Sequence, residues 1–292
     1  MKLRTLIFAG MIGAIMILAG GACESDDESK NQINAVFSYV TDGFKVNFTD
    51  FSQNAKEYTW DFGDGSEVST KPNPVHIYKA KGEFLVSLSV ANESGSGTFI
   101  DTVYVSGPNI KIDGDFTDWD YVPYTHTNDE NEGGNLLAVK TFASPGHINF
   151  YFEGKPEMNL AIIDMYIDAD NNAETGFSAW MYPAGSGADY LIEGTFDNAS
   201  PDASAGDMFR HTDPNNGWGW EPAYTFSEVL KFSKISSSAG KNIIEFSLAR
   251  TALGSHKGFI NFSLLEMNSG WTQVGDLPVG QKATSAFARI QL

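Results

Sequence analysis

Trp60-Asp61-Phe62-Gly63-Asp64-Gly65 is the stretch on which the reading of the fold turns. Trp60 and Phe62 stand two positions apart, so on a strand both face one side and bury together. Each such ring removes roughly 150–250 Å² from water. Gly63 and Gly65 permit the positive φ of a tight turn. Asp61 and Asp64 are placed to accept hydrogen bonds from turn amides, a scaffolding role that needs no chemistry. Outward from this turn the hydrophobic period is two. Upstream, Val36-Phe37-Ser38-Tyr39-Val40 and Phe44-Lys45-Val46-Asn47-Phe48 flank Thr41-Asp42-Gly43 in the manner of a hairpin. Residues 57–62 form a third strand. Downstream, Phe84, Val86, Leu88 and Val90 alternate, and residues 99–105 close the unit. Short strands with polar turns over residues 34–106 predict a small β-sandwich.

The hexapeptide is followed by Pro74-x-His76-x-Tyr78 and by Gly82-x-Phe84-x-Val86-x-Leu88-x-Val90. In this order the motifs resemble the PKD domain, an immunoglobulin-like sandwich, over residues 34–106. The resemblance implies a spacer or interaction module.

Ser106-Gly107-Pro108 reads as a hinge. Residues 109–292 form a second all-β stretch, with candidate strands at 136–142, 147–153, 161–168, 189–195, 229–235, 243–248, 258–266 and 286–292 and one helix-like turn at 249–253. So many strands in one domain predict a sandwich or jelly roll. Ile112-Asp113-Gly114-Asp115-Phe116-x-Asp118-Trp119 opens this stretch. Tyr166-Ile167-Asp168-Ala169-Asp170-Asn171-Asn172, closed by Thr175-Gly176, follows; then come Gly187-Ala188-Asp189-Tyr190 and Ile244-Glu245-Phe246-Ser247-Leu248-Ala249-Arg250 with Leu253-Gly254. Together they resemble family 9 carbohydrate-binding modules over about residues 110–292. That resemblance implies a non-catalytic glycan-binding sandwich, often with structural calcium, and a core position for Trp119.

Asp168, Asp170, Asn172 and Glu174 have the spacing to fold oxygen ligands around one hard cation, calcium. The loop departs from an EF-hand, with no Gly at the sixth place and no Glu at the twelfth. A metal-free Asn/Asp-rich turn stays open as the alternative. Sugars need flat apolar faces beside groups that bond hydroxyls. Trp218-Gly219-Trp220, set between Asn215-Asn216-Gly217 and Glu221-Pro222, supplies these. Trp180 and Tyr182 flank a second loop, and Trp271 stands beside Asn268 and Gln273. Each of these rings is equally able to plug the core.

Lys2 and Arg4, an apolar run from Leu6 to Ala19, and Gly20-Gly21-Ala22 before Cys23 form a secretory leader over residues 1–22. The order resembles a bacterial lipobox, with Gly20 where Leu is usual, and implies lipidation of Cys23; a simple transmembrane anchor is the alternative, though the apolar run is shorter than the roughly 20 residues a span prefers. Residues 23–33 carry hardly any apolar group and read as a solvated acidic tether. Acidic residues there resemble an export signal to the outer cell face; an ordinary spacer is the alternative. The chain carries 19 basic and 37 acidic residues, a net −18, which repels phosphate backbones and excludes nucleic acid as a partner. No His-Glu-x-x-His, Gly-x-Ser-x-Gly or phosphate loop occurs. A glycosidase needs only two carboxylates, for which Glu153, Glu193, Glu245 and Glu266 are candidates. The sequence therefore predicts a lipid-anchored, extracytoplasmic outer-membrane protein, facing the cell surface and capturing a poly- or oligosaccharide. Its layout resembles Sus-type glycan-binding lipoproteins, which implies a transporter partner. A structural or adhesive surface protein making protein–protein contacts is the alternative, and a glycoside hydrolase accessory or cryptic enzyme the second.

Overall fold

The computed structural model describes residues 33–129, 131–177, 187–280 and 286–292. The leader, Cys23, the tether up to residue 32, Trp180 and Tyr182 lie outside the described residues. The chain is all-β, with its strands in two sandwiches.

In the first sandwich, β1 (Phe37–Asp42), β2 (Lys45–Asp50) and β4 (Val75–Ile77) form one sheet. Strands β3 (Glu57–Asp61), β5 (Gly82–Asn92) and β6 (Gly95–Val105) form the other. Trp60 is fully buried between Phe37 and Phe48, at ring distances of 5.1 and 5.3 Å. Its Nε1 donates to the Lys71 carbonyl at 2.9 Å, so the indole brings no unpaired donor into the core. The turn behaves as its composition dictates. Asp61 accepts from the Gly63 amide and Asp64 from the Ser66 amide, at 2.9 and 3.0 Å. Gly63 has φ +75°, and a Cβ there would lie 2.4 Å from the Leu85 carbonyl oxygen. No other residue fits.

The second domain pairs β14 (Leu230–Phe232), β16 (Lys241–Ala249), β9 (His147–Gly154), β8 (Leu136–Ala143) and β7 (Tyr124–Thr127) in one sheet, with β15 (Ser236–Ser238) joined to β16. The facing sheet runs β13 (Trp220–Thr225), β12 (Ala205–His211), β11 (Tyr190–Thr195), β10 (Ile162–Asp168), β17 (Phe259–Met267) and β18 (Gln273–Leu277), with β19 (Ala288–Gln291) also on β17. Phe150, Phe152, Phe246 and Phe262 stack between the sheets among Ile163, Met165, Ile167 and Leu264. Every residue of β10 is buried, because both of its faces are covered. Tyr166, Leu191 and Leu265 form a separate apolar cluster on the outer side.

Glu245 is fully buried on β16 and pins the opening motif. It accepts from the Asp113 and Gly114 amides and from Trp119 Nε1, at 2.9, 2.7 and 2.9 Å. Trp119 is thus a core residue, in agreement with its reading. It joins Val122, Phe142 and Tyr151 in the same apolar cluster as the first sandwich.

Two local expectations are corrected. The segment 106–108 is no free hinge: Gly107 has φ +78°, and a Cβ there would stand 2.5 Å from the Phe142 ring. Phe142 also meets Phe44 edge-on at 5.9 Å, and Lys81 Nζ donates to the Ala143 carbonyl at 3.2 Å. The expected strand at 229–235 is present but shorter, as β14 (Leu230–Phe232), and a one-turn helix, Phe226–Val229, leads into it. Glu228 accepts from both the Thr225 amide and its hydroxyl, at 2.7 and 2.8 Å, and this cap starts the turn.

Candidate functional site

The seven-stranded sheet brings several polar and aromatic residues to one end. Asp168 lies opposite Asn261, and His211 opposite Trp220. Between them Asp189 donates its amide to Ile167 and accepts the His211 amide, at 2.8 and 2.9 Å. Strand pairing alone thus sets Asn261, Asp168, Asp189, His211 and Trp220 along one edge.

The ligand atoms of Asp168, Asp170 and Asp189 lie within 4.8 Å of one another. Asp168 accepts from the Asn171 amide at 2.6 Å and from Asn261 Nδ2 at 2.9 Å. Asp189 Oδ2 accepts from the Ala169 and Asp170 amides at 2.8 and 3.1 Å. Asp170 Oδ2 accepts from Thr175 Oγ1 at 3.0 Å, while its Oδ1 is buried without a partner. Burial pushes the Asp168 and Asp189 carboxyls above the usual carboxylate range. Three converging carboxylates, with a buried and unpartnered oxygen on Asp170, suit a hard cation such as calcium. Of the four residues chosen from spacing, Asp168 and Asp170 belong to this cluster. Asn172 is turned to accept the Glu174 amide at 3.2 Å, and Glu174 is exposed outside the cluster. Asp189, from the next strand, completes the cluster instead.

Beside it stands an aromatic shelf. Trp218 is 52% exposed. It meets Phe177 at 5.4 Å and Trp220 at 5.9 Å, both edge-to-face. Trp220 is half-buried against His211, at 5.0 Å, and its Nε1 is buried without a partner. His211 Nε2 lies 2.8 Å from the Gly217 carbonyl and ties down the turn. Gly219 is required there, since a Cβ would fall 2.7 Å from the Asp213 Cβ. Asn216 Nδ2 donates to the Glu174 carbonyl at 3.0 Å, so the shelf and the acidic loop are joined directly. The arrangement offers an open indole with Asn215, Asn216 and Asp213 on its own turn.

Trp271 is 58% exposed but sits in the turn between β17 and β18. The register of β10 with β17 puts that turn at the opposite end of the sheet from Trp218. Trp180 and Tyr182 fall in the segment joining Phe177 to Ala188. Phe177 and Ala188 themselves pair through amide–carbonyl bonds of 2.7 and 2.9 Å.

Of the glutamates considered for hydrolysis, Glu153 and Glu245 are diagonal neighbours on one face of β9 and β16, while Glu193 and Glu266 lie on the facing sheet. Glu153 accepts from Tyr124 and Lys241, both at 2.6 Å. Glu245 pins the opening motif, and Glu266 accepts the Asn159 and Leu160 amides at 2.8 and 3.0 Å. Glu193 faces Asp164 across β10 and β11.

Residues 31–106 match the PKD domain. Among curated proteins the chain is similar to a microbial collagenase of Vibrio alginolyticus, 44% identical over 61 residues, which is 20% of this chain and 7% of the collagenase. It is also similar to a collagenase of Bacillus cereus, 38% identical over 65 residues, 22% of this chain and 6% of that protein. The chain thus spans under a tenth of these relatives' length, within the PKD segment. Among solved structures it is similar to the PKD1 domain of Vibrio anguillarum Epp, at 33% identity and a TM-score of 0.26, covering 27% of this chain and 99% of that one. A β-sandwich carbohydrate-binding module is also similar, at 18% identity and a TM-score of 0.24, covering 75% of this chain and 92% of that one.

Proposed function

We propose that this chain, whose residues 31–106 form a PKD domain, is a non-catalytic surface protein that holds a poly- or oligosaccharide on the larger sandwich. The observation that carries the reading is Trp218, half exposed on a fixed edge-to-face support of Phe177 and Trp220. A flat apolar face with amides and a carboxylate on the same turn is what stacking on a sugar ring requires. Asp168, Asp170 and Asp189 would hold calcium, which would fix the loop that Asn216 grips. Cys23 and its leader support lipid anchoring outside the cytoplasm, in the outer membrane and facing the surface. The PKD domain then stands between tether and shelf, and an uptake transporter is the fitting partner.

Glycan-affinity electrophoresis of the full chain tests this. Trp218→Ala should weaken binding at least about tenfold, equivalent to ~1.4 kcal/mol, with little change in stability because the ring is exposed. Trp271→Ala should bind as the parent does. Unchanged binding in Trp218→Ala would remove the shelf from the site.

A second reading, adhesion to another protein, is favoured by one observation. Leu85, Ile100 and Tyr104 are 67%, 60% and 59% exposed, and the register of β5 with β6 puts them on one outer face of the PKD sandwich.

A further inference from the structure

A cleft of about 620 Å³ opens where the two domains meet. Three segments line it: the turn between β1 and β2, the linker 106–111, and residues 117–122. Its size falls within the roughly 300–1,000 Å³ of small-ligand sites. Phe44 and Val122, both almost fully buried, give it an apolar floor. Tyr121 presents a ring that is 37% exposed, with the Lys45 ammonium 5.5 Å from its centroid. Asp42, Asp118, Asp120 and Lys111 also line the cleft. Asp118 uses one oxygen to accept the Lys111 amide at 3.0 Å, which leaves its other oxygen for the cleft.

The walls do not have to move to form this space. Gly43 has φ +61°, and a Cβ there would lie 3.3 Å from the Pro108 Cα, so the turn sits directly against the linker. Gly107 and Phe142 lock the linker to the second domain. A cleft already formed spares a ligand the cost of ordering it.

We propose that this seam is a second saccharide site, with Tyr121 as its stacking face. The chemistry of the lining selects the ligand. The lining carries both carboxylates, Asp42, Asp118 and Asp120, and ammonium groups, Lys45 and Lys111, so a ligand of either net charge meets a like charge. A neutral, hydroxyl-rich molecule with one apolar face satisfies both kinds of group, since each hydroxyl donates to Asp42 or Asp120 and accepts from Lys45 or Lys111. The site is separate from the Trp218 shelf, which belongs to the seven-stranded sheet, whereas the seam lies on the side of the six-stranded sheet. The inference rests on the glycan reading only in the choice of probe.

Isothermal titration of the full chain with neutral tetrasaccharides of glucose, xylose and mannose tests it. The parent should bind two equivalents of one of these sugars. Tyr121→Ala and Asp120→Asn should each lose one step, by at least about tenfold in affinity, and Trp218→Ala the other. Both seam positions line the surface, and circular dichroism checks that each variant folds. Loss of all binding in Trp218→Ala, with Tyr121→Ala and Asp120→Asn unchanged, would overturn the seam site and leave the shelf. Loss only in the seam variants would overturn the shelf and leave the seam. No binding by the parent would overturn both.

Discussion

Asp164 lies opposite Glu193, and Glu193 opposite Asp207, so three carboxyl groups stand in one row across β10, β11 and β12. Like charges placed directly across a ladder repel. Asp164 is 2% exposed, and its Oδ1 has no partner. Burial first, and the Glu193 charge second, push its pKa up to about 7. An unfolded aspartate titrates near ~3.9. Between those values the folded chain keeps a proton that the unfolded chain has released. Stability contributed at Asp164 is therefore full below pH ~4 and falls by at most ~1.4 kcal/mol per unit up to pH 7. Asp164→Asn should flatten this dependence. Urea midpoints at pH 4.5 and pH 7.5 should differ less in the variant than in the parent, and equal differences would refute the account. Nothing in the sequence around Asp164 signals this row, because register between separate strands creates it. Trp60 was legible, by contrast, since its partners for burial lie within the local alternation. Trp218 was legible as a candidate but not as exposed, which depends on Phe177 arriving from another loop.

Elements explain both what could be read and what could not. The acidic loop after β10 announces itself by spacing, yet only Asp168 and Asp170 of the four spaced residues converge. Asp189 enters because β11 runs back beside β10, and a pattern confined to one loop cannot show that. Calcium at about 100 times its dissociation constant should stabilise the fold by ~2.7 kcal/mol, seen as a higher midpoint in a thermal scan after chelation. Asp189→Asn should lose that shift as completely as Asp168→Asn, and Asn172→Ala should keep it. No shift at millimolar calcium in the parent would remove the cation from the site. Strands β12 and β13 are not legible in the sequence for a related reason. A register irregularity between Met208 and Phe209 breaks the pairing, and Pro222 in β13 argues against a strand from sequence alone. The pairing tolerates it because β13 is an edge strand.

At the scale of the molecule, composition and motif order point to two sandwiches, but Gly107 and Pro108, residues that usually mark freedom, do not reveal how the two are joined. Here the glycine serves close approach, and its partner Phe142 comes from the second domain, out of reach of local pattern. The shared apolar cluster predicts that both domains unfold together. Calorimetry should show one transition in the parent. Phe142→Ala, which costs about 3–5 kcal/mol where a phenyl ring leaves a cavity, should split it in two. Two transitions in the parent would refute the coupling. The clamp at Gly107 also fixes what the larger sandwich shows its surroundings: with the linker held against Phe142, the two sandwiches present their faces in one constant orientation. On the function proposed above, copies held at one surface would then offer their shelves in the same direction, and contacts too weak to hold a polymer singly would act together as avidity.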